Sequence, residues 1–208
     1  MLEIDPWLVN PLHSKVGEVD LQEDVGTEQL ADAVSALLSK IKKKYKEYGM
    51  KEQKPFVIVK PDAGTYGMGV MTVKDASEVK DLSRAQRNKM TVIKDGVAVT
   101  DMIVQEGVPT FETINDAVAE PVVYMIDRYV VGGFYRVHAE RGVDQNLNAP
   151  GSQFVPLAFA QQHAVPDLKA KPGTAAPNRF YVYGVVARLG LLAASLELER
   201  TDPNPEVY

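Results

Sequence analysis

From Gly26 to Gly49 the apolar residues Leu30, Val34, Leu37, Leu38, Ile41 and Tyr45 fall at helical spacing, with Thr27 placed to cap the start and Gly49 to stop the end. The period then shortens. "FVIVK", Phe56 to Lys60, is a compact apolar run rich in β-branched residues, and "GVMTVK" beyond a glycine loop predicts its hairpin partner. "DASEVKDLSRAQRNKM" returns to helical character opening at Asp75, and "MTVIKDGVAVTDMIVQEGV" has strand character broken at a turn, Asp95-Gly96. "EPVVYMIDRYVVGGFYRVHAE" predicts two strands folding back about Gly132-Gly133. "QHAVPDLKAKPGTAAPNR" has the composition of a loop, "FYVYGVVARLGLLAASLELER" predicts a final helix, and "TDPNPEVY" ends it. The class this implies is mixed, α+β (α/β), with antiparallel hairpins rather than strict βαβ alternation. The expected organisation is residues 1–53 with a helix over 27–48, followed by 54–208, with no internal repeat. "YVYGVVARLGLLAASL" is apolar enough for a core helix or a dimer seam, and the core is the favoured expectation.

Composition narrows the function more than the fold. The 208 residues are 45% apolar and 25% charged, ordinary for a soluble globular protein. No run approaches the roughly 20 apolar residues of a spanning helix, and "MLEIDPWLVNPLHSK" lacks the basic end and apolar block of a signal peptide, so a cytoplasmic protein without a membrane segment is expected. The absence of cysteine excludes disulfides, thiolate zinc sites and a cysteine nucleophile. A net charge of −5 argues against nucleic acid as a partner, and the one basic cluster, in "LLSKIKKKYKEYG", suits a solvated helix face. His13, His138 and His163 have no metal-ligand spacing, and Ser14, Ser35 and Ser152 lie in no G-x-S-x-G context. Trp7 and the tyrosines of "RFYVYG" suit core or interface rather than base stacking.

Three segments could carry chemistry. Lys60 ends an apolar strand and is followed by Gly64, Gly67 and Gly69, whose backbone freedom lets amide groups approach an anion such as phosphate. This is not a P-loop, where the lysine follows the last glycine and a helix comes next; a flexible hairpin with a solvated lysine remains the alternative. "IVQEGV" places Gln105 and Glu106 at a strand end, where backbone groups could meet an adenine edge between Val104 and Val108, although an ordinary strand end has the same pattern. "IDRYVVGGFYRVHAERGVDQNLNAPGS" holds Asp127, Arg128, Arg136, Asn146 and Asn148; arginine suits a transferring phosphoryl group, and Asn or Asp oxygens suit a magnesium shell.

The order of these segments resembles the ATP-grasp ligases over most of Lys54 to Glu199. Within them, "VKPDAGTYGMGVMTV" with "DQNLNAPGSQF" is most similar to the proteobacterial ATP-grasp type of glutamate–cysteine ligase. The resemblance implies a nucleotide held between two antiparallel sheets, ATP and Mg2+ as cofactors, and glutamate and cysteine as substrates joined through an acyl phosphate. It makes Lys60 a phosphate ligand, and Gly64, Thr65, Gly67, Met68 and Gly69 the loop over ATP. Gln105, Glu106 and Val108 would lie by adenine. Asp127 and Arg128 resemble a D-x-R segment whose arginine is replaced by Tyr129, Arg136 would face the transferred phosphoryl group, and Asn146 the following asparagine position. The family's carboxy-terminal metal motif is reduced to Glu197 and Glu199, with Asn148 as a further oxygen ligand. Ligases of this type are roughly twice as long, so the chain resembles their carboxy-terminal half. An amino-terminal half or second chain would then supply substrate contacts and the other ATP lysine, for which Lys15 is a poor substitute. A nucleotide-binding module without ligase activity, and a ligase for other amino acids or peptides, are the competing readings.

Overall fold

The computed structural model describes residues 5–62, 69–91, 100–157, 169 and 179–203. A 3-10 turn at Pro6–Leu8 precedes β1 (His13–Val16), α1 (Thr27–Glu47), β2 (Val57–Pro61), β3 (Met71–Val73), α2 (Ser77–Lys80), α3 (Arg84–Thr91), β4 (Met102–Glu106), β5 (Glu112–Ile114), β6 (Ala117–Ile126), β7 (Tyr129–His138), β8 (Gln153–Pro156) and α4 (Arg179–Thr201). Two four-stranded antiparallel sheets result, ordered β1-β4-β2-β3 and β5-β6-β7-β8, so the mixed class is observed. The chain divides into two compact units, Met1–Thr110 with Gly142–Asn148, and Phe111–Arg141 with Ala149–Tyr208. The segment before residue 54 therefore shares one unit with β2, β3 and β4, while β5 to β8 lie in the other.

In the first unit α1 buries the six apolar residues its spacing predicts, against Val16, Val57, Val59, Val73, Met102 and Val104 of the sheet. Its start is set by Gly26 rather than by Thr27. Gly26 has φ 73°, and a Cβ there would lie 2.7 Å from the carbonyl oxygen of Glu18, so only glycine fits and Thr27 becomes the first helical residue. Its end follows the expected glycine stop. Gly49, at φ 71°, lets its own N–H reach Lys46 O (3.3 Å) and the Met50 N–H reach Tyr45 O (2.8 Å), the double bond pattern that satisfies final-turn carbonyls.

The amino-terminal segment is pinned to this helix. The Asp5 carboxylate accepts hydrogen bonds from Lys44 Nζ (2.6 Å), Tyr48 Oη (2.8 Å) and the Trp7 N–H (3.0 Å), while the Trp7 ring lies 4.9 Å from that of Tyr48. These donors, Lys44 first, hold the Asp5 pKa down at about 2 against its ordinary 3.8. A carboxyl whose folded pKa is depressed stabilises fully above its unfolded value and loses that contribution as pH falls through the folded one. Trp7 fluorescence should therefore report loosening of this segment between about pH 4 and pH 2, and Asp5→Asn should remove that part of the profile. A wild-type profile identical to that of the variant would contradict it.

Several local expectations are corrected. The helix expected to open at Asp75 is two helices, because Ser83 restarts the backbone: Gln86 Oε1 accepts from both its N–H (2.9 Å) and its hydroxyl (2.7 Å), a capping-box exchange. Thr91, assigned to a strand by its pattern, ends α3. The expected Asp95-Gly96 turn lies outside the described residues. The β6–β7 hairpin turns at Asp127-Arg128, with Asp127 at φ 51°, and not at Gly132-Gly133, which lie within β7. Gly133 is there for close approach: an added Cβ would meet Val122 O at 2.5 Å and Leu157 Cδ1 at 2.8 Å.

In the second unit the amino-terminal part of α4 packs on its sheet. The Tyr183 hydroxyl donates to the buried Glu112 carboxylate and lies 3.4 Å from the Tyr135 hydroxyl; burial first, and then that carboxylate, push the Tyr183 phenol well above its usual pKa. From Arg188 to Thr201 every residue of the helix is exposed. Two expectations fail here. The final helix is not a core helix for most of its length, and its span Tyr181–Thr201 is long and apolar enough to cross a membrane by length and composition.

Candidate functional site

Strand alternation gives the first unit's sheet two unlike faces. Val57 and Val59 of β2, and Met102, Val104 and Glu106 of β4, turn toward α1 and are buried. Ile58, Lys60, Ile103 and Gln105 take the opposite face. Ile103 of central β4 pairs with Lys60 on one side and Lys15 on the other, so two lysines flank it in a single row. Lys60 Nζ donates to Gln105 Oε1 (2.9 Å), joining the two residues whose positions predict phosphate and adenine contacts.

Lys15, which the sequence offers only as a poor substitute for the other ATP lysine, stands in this row. It sits between Asp62 (2.6 Å) and Asp101 (2.8 Å), which raise its ammonium well above the ordinary value, Asp101 contributing more. Its charge in turn lowers the Asp101 carboxyl. Strand β1 is only four residues, "HSKV", too short for its alternation to stand out, and pairing with β4 alone brings Lys15 into the row.

Gln105 and Glu106, neighbours in sequence, part ways in space. The Glu106 carboxylate is buried on the α1 side, where its Oε2 accepts from Trp7 Nε1 (2.8 Å) and the Leu12 N–H (3.0 Å). Its side chain thus anchors the amino-terminal segment and does not lie beside Lys60. Gly107 follows with the Phe56 ring packed so closely that a Cβ would be 2.0 Å from it, and Val108 is exposed. The strand end is therefore fixed from below and open above.

The loop 142–148 belongs to this unit and is tied to the β3 edge. Thr72 Oγ1 donates to Asp144 O (3.0 Å), and Lys74 Nζ pairs with the Asp144 carboxylate (2.5 Å), lowering that carboxyl and raising the lysine. Thr72 pairs with Ile58 and so lies on the Lys60 face. Asn146 is exposed, with its Oδ1 accepting from the Asn148 N–H (2.9 Å), and buried Leu147 anchors the turn. Asp144 ties this loop to β3, and nothing in the sequence pattern distinguishes it from a surface aspartate. Of the glycine loop, Gly64, Thr65, Gly67 and Met68 lie outside the described residues. Gly69 has φ 70°, and a Cβ there would press on the Pro61 ring at 3.0 Å.

The second unit carries the remaining candidates. Arg136 of β7 faces Glu120 of β6 and pairs with it through Nη1, while its buried Nε has no partner among the described residues. The same side of the sheet bears an aromatic row, Tyr124, Phe134 and Phe154, with ring centroids 5.8 and 5.3 Å apart. Asp127 and Arg128 form the hairpin turn, and the Arg128 guanidinium lies 5.4 Å over the Tyr129 ring. Glu197 and Glu199 are exposed on α4, and two residues of helix separate them by about 200° around its axis. They do not fit a shared metal site. Among the described residues no group of three His, Asp or Glu side chains could hold a metal ion.

Comparisons with known proteins give this arrangement its context. A search of curated proteins finds no match. A crystal structure of a protein named "Putative gamma-glutamylcysteine synthetase", from Methylobacillus flagellatus KT, is 62% identical with a TM-score of 0.82; the match covers 96% of this chain and 47% of that one. The chain thus spans about half the length of that relative. The family model described as GshA, glutamate-cysteine ligase, matches residues 1–198, and the chain belongs to the glutamate-cysteine ligase family.

Proposed function

We propose that this chain is the nucleotide-binding and phosphoryl-transfer portion of an ATP-grasp glutamate–cysteine ligase. The observation that carries the reading is the Lys15–Ile103–Lys60 row, with Gln105 bonded to Lys60, on the face away from α1 of an antiparallel sheet in a member of that family. ATP supplies the phosphoryl group that converts the glutamate γ-carboxylate into an acyl phosphate, and the cysteine amine then displaces phosphate to give γ-glutamylcysteine. Lys60 binds phosphate oxygens with a fixed ammonium, which suits a reaction catalysed by positioning and charge rather than by a protein nucleophile. The family resemblance assigns Gly64, Thr65, Gly67, Met68 and Gly69 to the loop for those phosphates. Gln105 orients Lys60, and the Glu106 backbone with Val108 lines the adenine. By the family resemblance Arg136 is the arginine for the transferred group, its guanidinium paired with Glu120, and Asn146 takes the asparagine position that follows it. Magnesium accompanies ATP in this reading, but Glu197 and Glu199 diverge and no step is assigned through a metal. A cytoplasmic setting accords with ATP as substrate.

A second reading is favoured by one fact, the 47% coverage of the relative: by itself the chain would bind nucleotide without ligating. Replacing the matched part of the Methylobacillus protein with this chain tests the first. The chimera should release phosphate from ATP only when glutamate and cysteine are both present. A chimera that folds and binds ATP, yet shows no release dependent on both amino acids, would leave the nucleotide-binding reading alone standing; release with other amino acids would reassign the substrates.

A further inference from the structure

All fourteen residues from Arg188 to Thr201 are exposed, although they form about 21 Å of continuous helix. Leu189, Leu192 and Leu196 cluster within about 60° of one another around the axis, and Leu191 and Leu198 lie on the opposite side. Leu192 is 58% and Leu198 71% exposed. A helix at a protein surface keeps one polar face; one with apolar stripes on opposite sides belongs in an enclosed environment. Nothing in helix propensity alone would hold such a projection in water.

We propose that this part of α4 is a docking element enclosed by the polypeptide corresponding to the half of the Methylobacillus relative that this chain does not match. Length supports that occupant, because the match covers only 47% of the relative. A second copy meeting α4 about a two-fold axis would cover one stripe and leave the other in water. A bilayer would have to accept Arg188 near the middle of the apolar span and break the bond that ties Tyr183, on the same helix, to Glu112. The chain's own segment 158–178 offers only Phe159, Val165 and Leu168 as large apolar residues, too few for five leucines.

The test mixes this chain with the unmatched half of the Methylobacillus protein, expressed separately, and follows association by sedimentation without nucleotide. Its outcome is therefore independent of the ligase reading. A 1:1 complex is expected, weakened at least tenfold by Leu192→Glu with Leu196→Glu, and likewise by Leu191→Glu with Leu198→Glu, but not by Lys43→Ala on α1. Circular dichroism of the variants verifies that they fold, which their exposure favours. Absence of a complex would overturn the proposal, as would self-association of this chain abolished by the same substitutions. Uptake onto phosphatidylcholine vesicles through α4 would overturn it in favour of a membrane.

Discussion

Lys60→Ala should weaken binding of a non-hydrolysable ATP analogue about tenfold to a hundredfold, while the urea midpoint of the chain stays where it is. The size follows from a hydrogen bond between charged groups, worth about 1.5–3 kcal/mol, and about 1.4 kcal/mol corresponds to a factor of ten. The lack of a stability effect follows from position. Lys60 lies on the face away from α1, its one described bond is to Gln105, and the core it adjoins is made by Val57 and Val59 on the other side of the same strand. Lys60→Arg should fall between, because the charge survives but a planar fork cannot occupy the ammonium's place beside Gln105 without shifting it. Calorimetric titration of the three proteins measures this directly. Equal affinities would remove Lys60 from the nucleotide site, and with it the row on which the proposed function rests.

What the sequence disclosed, and what it hid, follows from how local each determinant is. The α1 face was legible because six apolar residues over four turns impose one period, and Gly49 marks a stop that needs only its own backbone. Lys60 stands out in the sequence because an apolar strand ending in a lysine is anomalous without any partner, and its place on the face away from α1 follows from strand alternation. The hairpin about Asp127-Arg128 was misplaced because a glycine pair usually marks a turn, whereas Gly133 is required by Val122 and Leu157, which only the folded sheet brings to it. Lys15 and Asp144 depend on pairing across long stretches of chain, and neither has a local signature. The exposed end of α4 misleads for a different reason. Its apolar content resembles that of a core helix, yet residues 188–201 are exposed.

Glu106 and Gln105 should give opposite results, and the contrast tests the two-faced sheet more sharply than either substitution alone. Glu106→Ala leaves the indole N–H of Trp7 and the Leu12 N–H without their acceptor in a partly buried setting. Stranding a fully buried donor costs about 1–3 kcal/mol; with both donors only partly buried, a loss of about 2–4 kcal/mol is expected. At a urea slope of about 2 kcal/mol per molar, the midpoint should fall by about 1–2 M, with Trp7 fluorescence shifting to the red as the amino-terminal segment detaches. Glu106→Gln keeps one carbonyl acceptor and should lose less. Gln105→Ala should leave the midpoint unchanged and instead weaken the ATP analogue, because the amide that steadies Lys60 is gone. The reverse outcome, with Gln105 governing stability and Glu106 affinity, would mean that β4 presents its other face to the nucleotide, and the Lys15–Ile103–Lys60 row could not then be the phosphate site.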